Sequence, residues 1–190
     1  MDLILASQSP RRRALLEHFG FKFRVEVLSV EEVQSGPPLA TARANAVAKA
    51  QPVSLRYPQA LVLGADTIVV LDGLILGKPR DAEDARRMLR ALSGRAHEVT
   101  TVVALLRNGL EERVVSETTK VQFRQLTEAE ITGYVATGEP LDKAGAYGIQ
   151  GLGGLLVQSI KGCYYNVVGL PVPRLVEELR PYGIEVFSSR

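Results

Sequence analysis

The chain has 190 residues, 46% apolar and 23% charged, with a formal net charge of +2, a balance that excludes a disordered chain and a strongly basic nucleic-acid binder. That length buries one sizeable core, as a single domain spanning 1–190 or as two lobes sharing that core, with no independent second domain. Cys163 is the only cysteine, which excludes an intramolecular disulfide and a cysteine-rich metal site; with no apolar run of the ~20 residues that span a membrane and no export-signal pattern, a cytoplasmic protein is expected.

Leu3-Ile4-Leu5 reads as a short apolar strand that passes through Ala6-Ser7-Gln8 into a helix. Ser9 is a good N-cap, Pro10 suits the first helical position, Leu15, Leu16 and Phe19 give an apolar face, and Gly20 stops the helix. Arg11, Arg12 and Arg13 then fall at the positive end of the helix dipole, where each exposed basic residue costs about 0.3–1 kcal/mol. A bound anion reverses that sign, because free N–H groups, the Ser7 and Ser9 hydroxyls and two or three guanidinium forks converge on it. The alternative is an arginine-rich helix start reaching into solvent.

Residues 21–27 alternate apolar and polar as a half-buried strand does. Glu31 and Glu32 follow in a segment that reads as a solvated loop, and Gly36-Pro37-Pro38 breaks the chain before an alanine-rich helix over about 39–50. Lys49 lies in the last turn of that helix, where a lysine complements the dipole without any ligand. Residues 61–64 read as a buried strand that Asp66 interrupts before 68–71, and a carboxylate there must be paired, hydrogen-bonded or on a metal. A structural salt bridge satisfies that demand as well as a catalytic role does. Asp72-Gly73 suits a tight hairpin turn, and Gly77-Lys78-Pro79 sets a lysine on a constrained turn that also reads as plain surface.

Asp81 caps the next helix with Asp84 as its capping-box partner, and Ala85, Met88, Leu89 and Leu92 form the buried face. Strands over 97–106 and 114–123 are joined across Asn108-Gly109 by a loop longer than two residues. His97 reads as a strand-start histidine, and with His18 on a helix face no zinc cluster is suggested. Thr127 and Glu130 make a capping box for a helix that ends at Thr137-Gly138. The glycine-rich run 139–154 suits neither helix nor plain strand; such glycines permit close backbone approach to a ligand, and a long irregular connection is the alternative. Residues 155–157 and 164–168 read as strands flanking a Lys161-Gly162 turn, and a closing helix after Pro173 turns Leu175, Val176 and Leu179 inward. Hairpins alternating with helices make the fold α/β with a mixed sheet.

In order along the chain stand Leu5-Ala6-Ser7-Gln8-Ser9-Pro10-Arg11-Arg12, Gly64-Ala65-Asp66-Thr67, Gly77-Lys78-Pro79-Arg80, Leu92-Ser93-Gly94, Asp142-Lys143-Ala144-Gly145-Ala146-Tyr147-Gly148-Ile149-Gln150-Gly151 and Val168-Gly169-Leu170-Pro171. Together they resemble the Maf family of nucleoside triphosphate pyrophosphatases over nearly the whole chain. The resemblance implies an elongated two-lobed α/β unit around a curved mixed sheet with a central cleft, similar to inosine triphosphate pyrophosphatases. It implies hydrolysis of a nucleoside triphosphate to monophosphate and pyrophosphate with a divalent cation, Mg²⁺ or Mn²⁺, in a protein that is commonly a homodimer and binds neither membrane nor nucleic acid. Carried over by position, phosphate binding falls on Ser7, Arg11, Arg12, Lys49 and Lys78, the acids and metal ligands are Glu32 and Asp66, and Asp66 is the proton acceptor. Lys78 joins the two acids as a catalytic residue. Arg11, Thr67 and Gln150 mark the branch acting on dTTP and UTP. A rival of another class is a nucleotide-binding regulator of cell division without turnover, against which stand Glu32 and Asp66, acids that repel a triphosphate unless a metal or a water needs them.

Overall fold

The computed structural model describes residues 1–186. In chain order it contains β1 (Leu3–Leu5), α1 (Pro10–His18), β2 (Arg24–Val25), α2 (Pro38–Arg56), β3 (Leu61–Leu71), β4 (Leu74–Leu76), α3 (Ala82–Leu92), β5 (Ala96–Arg107), β6 (Leu110–Phe123), α4 (Glu128–Ala136), β7 (Val157–Lys161), α5 (Tyr164–Val168) and α6 (Val172–Leu179). The strands make one seven-stranded sheet in the order β2-β1-β3-β5-β6-β7, with β4 paired to β3. β1 runs parallel to β2 and β3, whereas β3–β4 and β6–β7 are antiparallel, so the sheet is mixed and the fold is α/β as expected.

The chain divides into two compact units, one of Met1–Asp66, Thr101–Glu117 and the segment from Gly169, the other of Thr67–Thr100 and Thr118–Val168. In the first unit β1 registers Leu3, Ile4 and Leu5 against Leu61, Val62 and Leu63, all of them buried. α2 is laid on β3 at Gly64, where a Cβ would run into the Ala46 carbonyl oxygen and stand 2.9 Å from the Ala50 Cβ. Ala42, Ala46 and Ala50 are fully buried, so the alanines of this helix are what let its backbone approach the strand. In the second unit Leu89 and Leu92 of α3, Phe123 of β6 and Ile131 and Val135 of α4 close a separate apolar cluster.

Turn chemistry behaves as the sequence suggests. Asp72 (φ 52°) and Gly73 (φ 79°) both take the left-handed conformation that a two-residue hairpin requires. Thr127 and Glu130 form both bonds of a capping box. Four expectations are corrected. Asn108 and Gly109 are the whole loop between β5 and β6, both with positive φ, so the strands reach each other sooner than expected. β2 is two residues rather than seven, because it pairs only with the three-residue β1. Residues 164–168 are the short helix α5, not a strand; Asn166 within it is buried and donates to the Val99 carbonyl and to Thr119 Oγ1, both at 2.9 Å. α2 continues six residues beyond Ala50, through Pro52, because Val53 is buried and Ser54 Oγ accepts the Gly109 N–H at 3.1 Å.

Candidate active site

In the first unit the strand β1 delivers Ser7 to the start of α1, and the three arginines part company there. Arg12 is buried: its Nε donates to the Gly169 carbonyl at 2.8 Å and its Nη1 to Ser7 Oγ at 3.1 Å. Burial pulls its pKa down to about 10, with Asp66 and Glu32 opposing that fall and Arg11 adding to it. Arg13 is exposed and pairs with Glu17 at 2.7 Å, and Arg11 is half-buried. The triplet is therefore one half-buried, one buried and one exposed arginine, so the third of the expected forks is turned to solvent. Ser7 Oγ also accepts the Ser9 N–H at 3.3 Å, and Ser9 is the N-cap as expected.

Close packing at Gly64 brings the middle of α2 over β3 and sets Lys49 beside Asp66, two residues further along the strand; because α2 runs on to Arg56, Lys49 is not in its last turn and does not serve to complement the dipole there. Lys49 Nζ stands 2.6 Å from Asp66 Oδ1 and 3.2 Å from Glu32 Oε1. One ammonium thus joins both acids, and its side chain is 16% exposed, that of Asp66 11% and that of Glu32 44%. Glu32 sits in a loop that holds its place through Asn45, one helical turn before Lys49. Asn45 Oδ1 accepts the Val33 N–H at 2.7 Å and its Nδ2 donates to the Val33 carbonyl at 3.0 Å. Glu32 is thus exposed in a loop as expected, but the loop is anchored to α2 through Asn45 and its carboxylate is paired with Lys49. Asn45 escaped the reading of the sequence; the available signal was a polar amide inside an alanine-rich helix, four residues before Lys49 and so on the same face, and the structure buries it.

The second unit carries Thr67, Lys78 and Gln150. Thr67 follows Asp66 on β3 and is half-buried. Lys78 is exposed and makes no ion pair among the described residues; the carbonyl of Gly77 before it accepts the Gly145 N–H at 3.1 Å, which ties its turn to the glycine-rich run. Gln150 is exposed at the tip of a turn in that run. The run itself is three short 3₁₀ segments, Glu139–Asp142, Ala144–Ala146 and Leu152–Leu156, with Gln150 in the turn before the third.

Its glycines serve the protein's own packing. A Cβ on Gly148 would stand 2.7 Å from the Lys143 side chain, one on Gly151 would meet the Glu139 carboxylate, and one on Gly153 would lie 2.5 Å from the Tyr134 hydroxyl. The expected close approach is real, but its partners are Glu139, Tyr134 and Lys143. Burial disfavours the charged form of Glu139, yet the Gly153 and Leu152 amides, the Tyr134 hydroxyl and the Lys143 charge hold its pKa below the ordinary carboxylate value. Glu139 and Tyr134 are the second omission of the sequence reading. Their pairing spans the boundary between a helix and an irregular segment, where no periodicity applies.

His97 is buried with its Nε2 2.8 Å from the Tyr147 hydroxyl and its Nδ1 unpartnered; burial lowers its pKa to about 4. It is a neutral core histidine of the second unit.

Comparison with known proteins agrees over the full length. The chain is 54% identical over 190 residues to the dTTP/UTP pyrophosphatase of Symbiobacterium thermophilum, covering 99% of this chain and 97% of that one. It is 52% identical to the protein of that name from Bacillus cytotoxicus and 50% identical to that from Dictyoglomus thermophilum, over 94% and 96% of each chain respectively. Among solved structures, the Staphylococcus aureus Ham1 protein is similar at 16% identity and a TM-score of 0.49, over 65% of this chain and 72% of that one. Residues 2–182 match the family model described as Maf-like protein, and the chain belongs to the Maf family.

Proposed function

We propose that the chain hydrolyses nucleoside triphosphates, dTTP and UTP foremost, to the monophosphate and pyrophosphate. The observation that carries this reading is the convergence of Glu32 and Asp66 on Lys49 beside the buried Arg12, in a chain similar over its length to proteins named dTTP/UTP pyrophosphatase. Cleavage between the α and β phosphates needs an in-line water, a proton acceptor and positive charge on oxygens that gain charge as pyrophosphate leaves. Asp66 takes the proton from the attacking water. Ser7, Arg11, Arg12 and Lys49 bind phosphate oxygens, and the exposed Lys78 ammonium is available to the leaving group. Each positive group that touches those oxygens more strongly in the transition state than in the bound substrate speeds the step.

Glu32 and Asp66 present carboxylate oxygens to one point, marked by Lys49 Nζ. Among the described residues no group of three or more His, Cys, Asp or Glu is placed to hold a metal, so the protein alone does not complete a cage. Two carboxylates with substrate phosphate oxygens and water as the remaining partners suit Mg²⁺ or Mn²⁺, whereas the donor set does not suit zinc. Held by Glu32 and Asp66 with Lys49 turned to the substrate phosphates, such a cation would supply charge to the triphosphate oxygens. Base choice is assigned to Gln150, whose amide offers one donor and one acceptor to the thymine or uracil edge, with Thr67 adding a hydroxyl. We place the enzyme in the cytoplasm as a homodimer, following the family resemblance and the single cysteine; no helix among the described residues is long and apolar enough to cross a membrane.

The test incubates the purified chain with Mg²⁺ and, separately, UTP, dTTP, CTP and GTP, assaying pyrophosphate and orthophosphate together. Pyrophosphate with UTP and dTTP turned over fastest is expected. Orthophosphate as the product, or binding without turnover, would overturn the reading.

A further inference from the structure

The turn that carries Gln150 has one hydrogen bond within it, from the Gly151 N–H to the Gly148 carbonyl at 3.3 Å, so most of what orders it comes from outside. What holds the turn lies on either side of it. On the leading side the Gly148 N–H donates to the Tyr134 hydroxyl at 3.3 Å. On the trailing side the Leu152 and Gly153 N–H groups donate to Glu139 Oε2 and Oε1 at 2.9 and 3.0 Å. The Tyr134 hydroxyl in turn donates to Glu139 Oε1 at 2.9 Å, so one carboxylate and one phenol grip both ends of a four-residue turn. The Glu139 carbonyl is itself held by Lys143 Nζ at 2.7 Å. Gly151 and Gly153 leave no room for a Cβ because they are pressed against this pair.

A carboxylate suits this place better than any neutral side chain, since it offers only acceptors to backbone amides that only donate. The phenol suits the other end because it accepts from Gly148 while donating to Glu139. Hydrogen bonds of this kind order a backbone without touching what the tip binds. We propose that Glu139, held by Tyr134, is the positioning residue that fixes the Gln150 turn and thereby sets selectivity among nucleobases; this rests on the assignment of Gln150 to base recognition made above.

The test uses the full chain with Glu139→Gln and Tyr134→Phe, alongside Gln150→Glu and, as a control, Thr127→Ala, which weakens the α4 cap without touching the turn. Glu139→Gln keeps the volume but turns an amide N–H₂ toward a backbone donor, so one end of the turn is released. Hydrogen exchange should then quicken at least about tenfold at Leu152 and Gly153, with β5 and β6 unchanged. The ratio of kcat/KM for UTP to that for GTP should fall by about tenfold, through KM more than kcat, with Tyr134→Phe shifting it in the same direction. Thr127→Ala should keep the wild-type ratio. Unchanged exchange in Glu139→Gln, or a wild-type ratio there while Gln150→Glu loses selectivity, overturns the role of Glu139. An unchanged ratio in Gln150→Glu overturns instead the base assignment on which it rests. Should Glu139→Gln not fold, Tyr134→Phe decides alone, and a wild-type ratio in it rejects the proposal.

Discussion

The acid–lysine cluster of the first unit and the glycine-rich run of the second use the same device, a glycine where a side chain has no room, toward opposite ends. At Gly64 the missing Cβ lets α2 sit on β3, and what is brought together is charge: Lys49 with Asp66 and Glu32. At Gly148, Gly151 and Gly153 the missing Cβ lets backbone sit on Glu139, Tyr134 and Lys143, and what is brought together is fully satisfied. The first arrangement has partners that a substrate can exchange, since an ammonium between two acids gives up one ion pair for a phosphate at little net cost. The second has permanent partners, because an unpaired amide or carboxylate there has no replacement. Glycine-rich sequence therefore does not by itself mark where a ligand binds; the chemistry gathered by the glycine does.

The largest effect expected is on chemistry. Asp66→Asn keeps the shape of the site but neither accepts a proton from water nor balances Lys49, and turnover should fall about 10²- to 10⁴-fold with the fold intact. Steady-state rates at saturating Mg²⁺ and UTP, with circular dichroism as the fold control, check this; a wild-type rate would detach Asp66 from the chemistry.

Next in size is Gly64→Ala. The added Cβ meets the backbone carbonyl of Ala46, which cannot rotate away, so α2 must move off β3. A loss of about 1–3 kcal/mol is expected in denaturant unfolding, together with loss of activity as Lys49 leaves Asp66. Gly151→Ala serves as the contrast: it meets a carboxylate that can swing, so stability should fall less and base selectivity more. Equal losses in both would erase the difference between the regions.

The second unit gives a pH signature. His97 has a folded pKa of about 4 against an ordinary value of 6.5, so below pH 6.5 the unfolded chain takes up a proton that the folded chain refuses. Its contribution is complete above pH 6.5 and is lost as pH falls from there toward 4, by up to about 1.4 kcal/mol per pH unit. His97→Gln should flatten the stability profile between pH 6.5 and 5, measured by urea unfolding; parallel profiles for the two proteins would show that His97 is protonated in the folded state. Smallest is Asn45→Ala, which frees the Glu32 loop from α2. About 1 kcal/mol of stability should be lost, and the Mg²⁺ requirement should rise severalfold in a metal titration of the rate. An unchanged requirement would mean that Asn45 does not hold Glu32 for the metal.

Local rules carried much of the fold. Capping at Ser9, Asp81 and Thr127 and the Asp72-Gly73 turn are decided within four residues, and the sequence shows them plainly, whereas the Asn108-Gly109 loop is shorter than expected. Even so, Asp84 accepts from the Arg80 N–H and from Arg87 rather than closing a box with Asp81, because nearby guanidinium groups compete for its oxygens. Residues 164–168 have the aromatic and β-branched composition of a strand, and only the buried bonds of Asn166 make them a helix. Of the candidate site, Asp66 stood out as an acid between apolar runs, whereas Lys49 meets it through a helix–strand contact and Glu32 through a loop anchored on that helix, neither of which a local pattern encodes. Glu139 is further still from view, since its partners lie up to 14 residues along an irregular path.

The most direct measurement follows UTP hydrolysis in ¹⁸O-enriched water by ³¹P NMR. Attack of water on the α phosphorus should yield UMP carrying the heavy oxygen and unlabelled pyrophosphate. Orthophosphate with UDP, label in the pyrophosphate, or intact UTP bound in stoichiometric amount would contradict the proposed reaction.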